Sequence, residues 1–293
     1  MLAVDGKTLR SSHDRLNGLE ALHTVSVWAS EYGLSLAQVA TPETGNEITA
    51  IPLGLSQVEL NEAIVTIDAI GTQKEIGEQI VANGGDYVLA LKDNQEKLKE
   101  KVIEYVTQQF DNDLGDGQVR RVVMKSRDHG REETREVLQF AAPAELTNSG
   151  DWPGLATIGF VKLTTVRVGK TTRQVRYCIS SLPLGVKTFA RAIRSHWRIE
   201  NSCHWGLDVT CREDESRTRE KSARENFAWL YRFTLALLKH HPSQHSLVMQ
   251  RRACGWSIEV LTEVIRWPQP GVRRRQSTAT NESERPFATP FGF

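Results

Sequence analysis

Residues 63–91 read AIVTIDAIGTQKEIGEQIVANGGDYVLAL and contain two apolar runs on either side of an amphipathic segment. Ala63–Ile67 and Asp86–Leu91 are almost continuously apolar, which is typical of strands buried on both faces of a sheet. The segment between them predicts a helix over Thr72–Ala82, which starts with Thr72 as its cap and stops at a pair of glycines. A strand, a helix and a strand in this order form a βαβ unit, so we expect two parallel strands and an α/β fold.

The residues before this unit predict three more strands. Leu2–Val4 is apolar and runs into Asp5, so we expect Asp5 at the end of a strand. Leu22–Trp28 alternates and is rich in β-branched residues, and Leu34–Ala40 follows a Tyr-Gly turn as its hairpin partner. The N-terminal part therefore predicts an antiparallel hairpin next to parallel strands, followed by a helix that ends near Phe110.

The pattern changes after residue 110, and this change predicts how the chain is divided. The following residues are rich in strand patterns and have no long helical pattern until residue 183, after which helical patterns prevail. The last residues contain several prolines and the basic run Arg273–Arg275, which is typical of a poorly packed tail. We predict the first part of a core at 1–110, a β-rich insertion at 111–183, a helical completion of the core at 184–266 and a disordered tail at 267–293.

Charge and composition indicate where in the cell the protein works and how it could bind nucleic acid. The chain has 293 residues and a formal net charge of +1, so any nucleic-acid binding must come from local basic patches. Its four cysteines form no CxxC pair, which favours reduced thiols over disulfides. No apolar run is long enough to span a bilayer, and the N-terminus lacks a signal-peptide pattern. We therefore expect a cytoplasmic protein without a membrane partner.

Residues 190–214 read ARAIRSHWRIENSCHWGLDVTCRED and predict a helix with one polar face. His196, Glu200, His204 and Asp208 recur every fourth residue and therefore form a slowly drifting stripe. The tryptophans and aliphatic residues among them favour a helix that packs against the core and directs these polar groups into a cleft. A zinc site made of the four residues is the less favoured alternative, because the HExxH spacing is absent.

Three carboxylates are candidates for metal chemistry. Asp5 and Asp68 follow buried strands, at the edge where open α/β sheets present their ligands, and Glu200 lies on the later helix. Each aspartate taken alone is more often a turn or capping residue. Together, two strand-end aspartates and one helical glutamate supply the hard oxygen ligands that Mg²⁺ prefers. Two such ions about 4 Å apart can activate a water or a 3′-hydroxyl and stabilise the leaving oxygen of a phosphodiester, so no protein nucleophile is needed.

Five motifs in this order resemble those of the DDE transposases of bacterial insertion sequences, and in particular the H-repeat-associated type. The resemblance covers residues 2–265. The motifs are AVDGKTLR at 3–10, VTIDAIGTQ at 65–73, GGDYVLALKDNQ at 84–95, HWRIENSCHWGLDVTCRED at 196–214 and ENFAWLYRFTLALLK at 225–239.

The resemblance implies an α/β, ribonuclease-H-like fold, in which a mixed sheet is flanked by helices and a β-rich insertion precedes the helix that carries Glu200. It implies that Asp5, Asp68 and Glu200 are the catalytic residues and the ligands of two Mg²⁺ ions, for which Mn²⁺ can substitute. The expected reaction is strand cleavage at insertion-sequence ends followed by 3′-hydroxyl attack on target DNA. The expected partners are double-stranded DNA and further copies of the chain, and the expected location is the bacterial cytoplasm, at the nucleoid when bound to DNA.

The sequence departs from the family in two respects. Relatives usually carry a segment before the first catalytic strand, so we expect a transposase that is truncated at its N-terminus. Many relatives also place a tyrosine, an arginine and a lysine around the glutamate, where this sequence has Ile193, His196 and Leu207. Two alternatives follow, namely an inactive remnant that folds and binds DNA, and a metal-dependent nuclease of the same fold.

Basic and polar residues near the carboxylate motifs are candidates for contacts with DNA phosphates, although each alone is equally well explained as a solvated surface group. For the histidines, packing through hydrogen bonds is favoured over contact with the substrate. Trp197 and Trp205 are expected to belong to the core and not to stack on bases. The candidates for DNA contact are Lys7, Arg10, Lys92, Asn94, Arg194, His196, Arg198, Asn201, His204 and Arg212.

Overall fold

The computed structural model describes residues 1–42, 46–114, 119–128 and 130–267, so the predicted tail, apart from Trp267, lies outside the described residues. This part contains nine strands and eight helices. The strands are β1 (Leu2–Leu9), β2 (Leu22–Ala29), β3 (Leu34–Ala40), β4 (Ile64–Ile67), β5 (Asp86–Leu91), β6 (Val119–Asp128), β7 (Arg131–Ala141), β8 (Thr157–Arg167) and β9 (Lys170–Ser180). The helices are α1 (Glu47–Leu55), α2 (Lys74–Ala82), α3 (Glu96–Asp111), α4 (Ala144–Thr147), α5 (Val186–Arg198), α6 (Lys221–His240), α7 (Leu247–Trp256) and α8 (Ile258–Arg266).

All nine strands form one mixed sheet in the order β3-β2-β1-β4-β5-β9-β8-β7-β6. The strands β1, β2 and β3 are antiparallel neighbours, whereas β4 is parallel to both β1 and β5. The parallel pairing of β4 with β5 confirms the βαβ unit that the sequence predicts, with α2 as its helix. An antiparallel hairpin beside parallel strands is consistent with the ribonuclease-H-like fold.

The β-rich region continues the same sheet. β9 pairs antiparallel with β5, and β8, β7 and β6 follow as antiparallel neighbours. Only Tyr177–Ser180 of β9 pairs with β5, so the preceding part of β9 extends past the end of that strand. The four strands therefore form a long antiparallel wing on the edge of the sheet. The division of the chain at residues 110 and 183 remains a prediction.

Helices cover both faces of the sheet, and strand alternation assigns each residue to one of them. On one face, α1, α2 and α3 pack on a core that includes Val4, Ile67 and Tyr87. On the opposite face, α5 and the helix that follows it pack on two smaller clusters, one of which includes Ala3. Since Ala3 faces the α5 side, Asp5 and Lys7 on the same strand face that side as well.

Two local predictions are corrected. β1 does not end at Asp5 but runs to Leu9, because β2 continues to pair with it along its whole length. Thr72 does not cap α2, which begins at Lys74. The hydroxyl of Thr72 instead donates a hydrogen bond of 2.6 Å to the carbonyl oxygen of Ala90, so a contact with β5 replaces the local cap.

The helix predicted over residues 190–214 exists, but it changes its winding. α5 continues into two π-helical segments, Ile199–His204 and Leu207–Cys211. The apolar residues Ile199, Cys203 and Leu207 recur every fourth residue and are all buried against the sheet. A π-helix has wider turns than an α-helix and is frequent at functional sites. An α-helix has fewer than four residues per turn and a π-helix has more, so a helix that alternates the two windings keeps residues four apart near one face.

The composition predicts reduced cysteines and no membrane-spanning segment. Cys178, Cys203, Cys211 and Cys254 all carry free thiols. Within the described ranges, no helix combines the length and the apolar character that are needed to cross a membrane.

Candidate active site

Asp5 and Asp68 lie side by side at the boundary between β1 and β4. The last parallel pair of these strands joins Val4 to Ile67, and each aspartate is the next residue along the chain. Asp5 lies inside β1, whereas Asp68 follows β4 and begins the short 3₁₀ helix Ala69–Gly71. The parallel register therefore brings together two carboxylates that are far apart in the sequence.

Asp5 is a largely buried carboxylate among other negative charges. Its side chain is 20% exposed, and its Oδ1 accepts a hydrogen bond of 3.0 Å from the backbone N–H of Gly6. Burial raises the pKa of Asp5 to about 7 against the effect of that hydrogen bond, and the carboxylates of Glu47, Glu200 and Asp68 add to the rise. Near neutral pH, Asp5 is therefore present in both its protonated and its ionised form.

Glu47 and His23 belong to the surroundings of Asp5, although no motif in the sequence indicates them. The Nε2 atom of His23 lies 2.9 Å from Oε1 of Glu47, and its Nδ1 lies 2.7 Å from the hydroxyl of Thr8. A Cβ atom on Gly6 would collide with both the Glu47 carboxylate and the His23 ring. The sequence sign of this packing is the glycine directly after Asp5, because glycine inside a strand often marks a close approach.

Asp68 is held by its own turn and by a lysine. Its side chain accepts a hydrogen bond from the N–H of Ala69, and the Nζ atom of Lys92 lies 3.3 Å from it. Burial alone would raise the pKa of Asp68, but the Ala69 N–H and the Lys92 ammonium outweigh it and hold the pKa below its usual value. The amide of Asn94 donates a hydrogen bond to the carbonyl oxygen of Ala69. Lys92 and Asn94, both predicted DNA contacts, thus help to fix the position of Asp68.

The polar stripe of the helix faces β4 and β1. The Nδ1 atom of His196 lies 3.1 Å from the hydroxyl of Thr66, and the Nδ1 atom of His204 lies 3.6 Å from Oδ2 of Asp5. Burial lowers the pKa of both imidazoles, and the pKa of His204 falls to about 3. The two rings are therefore neutral and make packing contacts with the sheet. Glu200 lies between them along the helix and is exposed.

Asp5, Asp68 and Glu200 line one cleft with a volume of about 160 Å³. Lys92 and Arg176 line the same cleft and bring positive charge to it. In the part of the chain that the structure describes, no three His, Cys, Asp or Glu side chains are close enough together to hold a metal ion. This applies to the three carboxylates and to the four-residue stripe alike. The structure thus brings the predicted carboxylates to one cleft without closing them into a coordination sphere.

Lys7 is a buried structural cation, and we therefore withdraw it from the predicted DNA contacts. Its side chain is 8% exposed, and its Nζ atom lies 2.8 Å from Asp208, 3.1 Å from Asp214 and 3.7 Å from Glu213. Burial alone would lower the pKa of Lys7, but these carboxylates raise it. The alternation along β1 places Lys7 on the face of Asp5, beneath the end of the helix, where a phosphate would have to displace three carboxylates.

The other predicted DNA contacts lie on the surface in two groups. Arg10 is 83% exposed, and Arg212 ends the helix in a left-handed conformation with a φ of 57°. Arg194, Arg198 and Asn201 line a second groove beside the cleft. The structure thus brings three of the candidates together next to the cleft and leaves Arg10 and Arg212 near the opposite end of the helix.

The chain is similar to a family of known proteins and to individual members of it. A family model described as "Transposase DDE domain" matches residues 1–238, which include all three carboxylates. The chain is 35% identical over 244 residues to "H repeat-associated putative transposase YhhI" of Escherichia coli (strain K12), covering 81% of this chain and 64% of YhhI. It is 38% identical over 244 residues to "Putative transposase YncI" of Escherichia coli O157:H7, covering 82% of this chain and 62% of YncI.

The chain spans less than two thirds of the length of these relatives. The family match nevertheless covers most of the chain, and the identity to YhhI extends over 81% of it. The chain therefore belongs to the DDE transposase family, and within it to the H repeat-associated type.

Proposed function

We propose that this chain forms the catalytic part of a transposase that cleaves DNA strands at insertion-sequence ends and joins them to target DNA. The observation that carries the proposal is the register of β1 and β4, which places Asp5 beside Asp68 at a cleft that Glu200 also lines. The family match and the names of YhhI and YncI support a transposase. Since the chain spans only part of those relatives, the activity of the whole protein belongs to the proposal.

The chemistry of the cleft fits a divalent cation. The raised pKa of Asp5 results from burial and from the neighbouring carboxylates, so the cleft holds negative charge that its own cations do not balance. Carboxylate oxygens are the ligands that Mg²⁺ and Mn²⁺ take in proteins. We propose that Asp5, Asp68 and Glu200 hold two Mg²⁺ ions, for which Mn²⁺ can substitute. When bound, such ions supply an activated water or hydroxyl and stabilise the charge on the leaving oxygen.

Residues of the chain hold the substrate and the carboxylates in place. The N–H groups of Gly6 and Ala69 orient the two aspartates, and His196 holds the helix against β4. Lys92 and Arg176 line the cleft and are placed to attract the oxygens of the scissile phosphate.

The proposed reaction has two steps. In the first, water adds to the phosphorus and the bond to the 3′-oxygen breaks, which leaves a 3′-hydroxyl and a 5′-phosphate. In the second, that 3′-hydroxyl attacks a phosphodiester of the target and releases a new 3′-hydroxyl from it. Both steps are in-line displacements at phosphorus that need no covalent intermediate with the protein.

A cysteine thiol at the cleft is a poor alternative to water as the nucleophile. Cys178 lines the cleft, but burial raises the pKa of its thiol to about 12. The thiolate is the nucleophilic form of cysteine, and at neutral pH this thiol is almost entirely protonated. Water is therefore the better nucleophile for the cleavage step.

Nicking of supercoiled plasmid DNA in the presence of Mg²⁺ or Mn²⁺ tests the proposed cleavage. We expect Asp68→Asn and Glu200→Gln to lower the rate at least ~100-fold, because metal assistance is worth several kcal/mol and each 1.4 kcal/mol is a factor of ten. Asp151→Asn is the matched control, since Asp151 is an exposed aspartate whose partner is Lys74. Equal rates in the wild type and Asp68→Asn would overturn the assignment of the three carboxylates.

A strand-transfer assay separates the transposase from the nuclease alternative. The substrate is a duplex that carries the terminal repeat flanking the gene and ends in a free 3′-hydroxyl. Joined products with plasmid DNA are expected for a transposase, whereas cleavage without any joined product would favour a nuclease of the same fold. Assembly of several copies on DNA stays a prediction that the same complexes test by their mass.

A further inference from the structure

A second groove, with a volume of about 220 Å³, lies beside the catalytic cleft. Trp197 lines both the cleft and the groove, so the two are separated by one side chain. Three of the residues that line the groove are arginines, and one is a glutamate, Glu133. The groove therefore carries an excess of positive charge directly next to the place where we propose that DNA is cleaved. The three arginines are Arg135, Arg194 and Arg198.

The arginines of the groove lie where the sheet extends beyond the apolar core beneath α5. On β7, Val137 is fully buried in that core, and Arg135 lies two residues before it on the same face. The register pairs Val137 with Val161 and Val161 with Arg176, so Arg176 shares this face as well. Along the wing, the face under the helix thus changes from aliphatic residues to arginines.

Both of these arginines lie against the same indole. The guanidinium carbon of Arg135 is 4.5 Å from the ring centre of Trp197, and that of Arg176 is 4.7 Å from it. Stacking on an aromatic ring leaves the N–H groups at the rim of a guanidinium free to bind an anion. Trp197 is half-buried, and its ring supports two guanidinium groups. The helical pattern of the sequence does not indicate this role.

Among the described residues, Arg135 shares its acidic partner, Glu133, with Arg131. It is 9% exposed, and its Nε atom has no hydrogen-bond partner among the described residues. Glu133 lies 3.6 Å from its Nη2 atom but is engaged more closely by Arg131, at 2.9 Å. Burial lowers the pKa of Arg135, Glu133 opposes this effect, and the positive charges of Arg194, Arg176 and Arg131 add to the lowering. Arg135 is thus a buried cation that has an unpaired donor and lies among like charges. A bound anion stabilises such a group by supplying both the missing hydrogen bond and the opposite charge.

We propose that this groove binds a phosphate group of the DNA strand that leaves the catalytic cleft, with Arg135 and Arg194 as its main ligands. The proposal rests on the proposed function, since it assumes that the cleft takes DNA. Phosphate oxygens match the planar fork of a guanidinium, and contacts of this kind position a strand without reading its sequence. Because Trp197 is the shared wall, one strand can pass from the cleft into the groove.

The test measures how the affinity for a short, fluorescein-labelled duplex changes with salt, with EDTA present so that no strand is cleaved. Each phosphate contact contributes a slope of about 0.9 to a plot of log affinity against log salt. We expect Arg135→Gln and Arg194→Gln each to reduce the slope by about one and to weaken binding several-fold at low salt. Arg194→Lys keeps the charge and should restore the slope. The matched control is Arg252→Gln, an exposed arginine on α7, which packs against α6 and α8.

The outcomes separate this inference from the proposed function. If the wild type does not bind the duplex, both are overturned. If it binds but Arg135→Gln and Arg194→Gln keep the slope of Arg252→Gln, the groove is not a phosphate site, while the cleavage proposal stands on its own nicking assay. A purely structural role for Arg135 would lower the melting temperature and leave the slope unchanged. Arg194 is exposed, so Arg194→Gln is expected to fold and keeps the test decisive if Arg135→Gln does not.

Discussion

The ammonium nitrogen of Lys7 lies 2.8 Å from Oδ1 of Asp208, and this ion pair joins the first strand to the helix that carries Glu200. The same network continues to Glu213, whose Oε1 atom lies 2.8 Å from Nη1 of Arg232 on α6, with both side chains fully buried. Arg232 also donates hydrogen bonds to hydroxyl groups on β2. Two of the three proposed catalytic carboxylates are thus carried by elements that a buried charge network holds together.

Replacing Lys7 with methionine should destabilise the protein. Lys7→Met leaves Asp208, Glu213 and Asp214 without this cation, and breaking a buried ion pair costs on the order of 3 kcal/mol or more. The free energy of unfolding in urea measures this loss. Lys74→Met is the control, because the pair of Lys74 with Asp151 is exposed and worth about 1 kcal/mol at most. Equal effects of the two variants would contradict a structural role for the network.

Adding a methyl group at Gly6 should disturb the position of Asp5. Gly6→Ala brings a Cβ atom into the Glu47 carboxylate and the His23 ring, and overpacking of this kind costs about 1–3 kcal/mol. We expect a lower melting temperature together with a lower rate of plasmid nicking. Gly255→Ala is the matched control, since nothing lies within 4 Å of the added atom on α7 and alanine favours a helix by about 0.5–1 kcal/mol. Full nicking activity in Gly6→Ala would show that this close packing does not position Asp5.

The raised pKa of Asp5 predicts a pH-dependent stability. The folded protein holds the proton up to about pH 7, whereas the unfolded chain releases it near its ordinary value of 3.8. The stabilising effect is therefore complete below about pH 4, is lost as the pH rises to about 7, and amounts to on the order of 4 kcal/mol. The difference in unfolding free energy between the wild type and Asp5→Asn should fall over this interval. Asp151→Asn should show no such fall, and a flat difference for Asp5→Asn would contradict the raised pKa.

Divalent cations should stabilise the folded protein, because a ligand that binds only the folded state raises its melting temperature. We expect Mg²⁺ to raise the melting temperature of the wild type and to have less effect on Asp68→Asn and Glu200→Gln. The rise in melting temperature that Mg²⁺ produces should be larger at about pH 8 than at about pH 6, since Asp5 has a pKa of about 7 and binds a cation only when ionised. An increase of the same size in Asp68→Asn would argue that the ion binds elsewhere.

Much of the fold follows from local patterns in the sequence. The apolar runs of β4 and β5 and the helix between them predict a parallel βαβ unit, and the structure confirms it. The alternating strands of the hairpin are also predicted within a few residues, and the strand-rich pattern after residue 110 corresponds to the four strands of the wing. Two helices were not predicted, namely the short α4 within the β-rich region and α7, whose residues Leu247–Trp256 carry a weaker amphipathic pattern. The predicted start of α2 was wrong because the hydroxyl of Thr72 donates a hydrogen bond to the carbonyl oxygen of Ala90 on β5. No local pattern in the sequence indicates this partner.

The sequence by itself determined which carboxylates could meet, because apolar periodicity sets the strands and alternation sets the face on which Asp5 lies. The spacing of four in the polar stripe His196, Glu200, His204 and Asp208 was also visible, and the structure shows this stripe on a helix that alternates α-helical and π-helical turns. Only the tertiary structure decided that Lys7 is buried among acids and that Arg135 and Arg176 meet on Trp197. The physical reason is that the environment of a charge depends on its neighbours in space, which packing brings from distant parts of the chain.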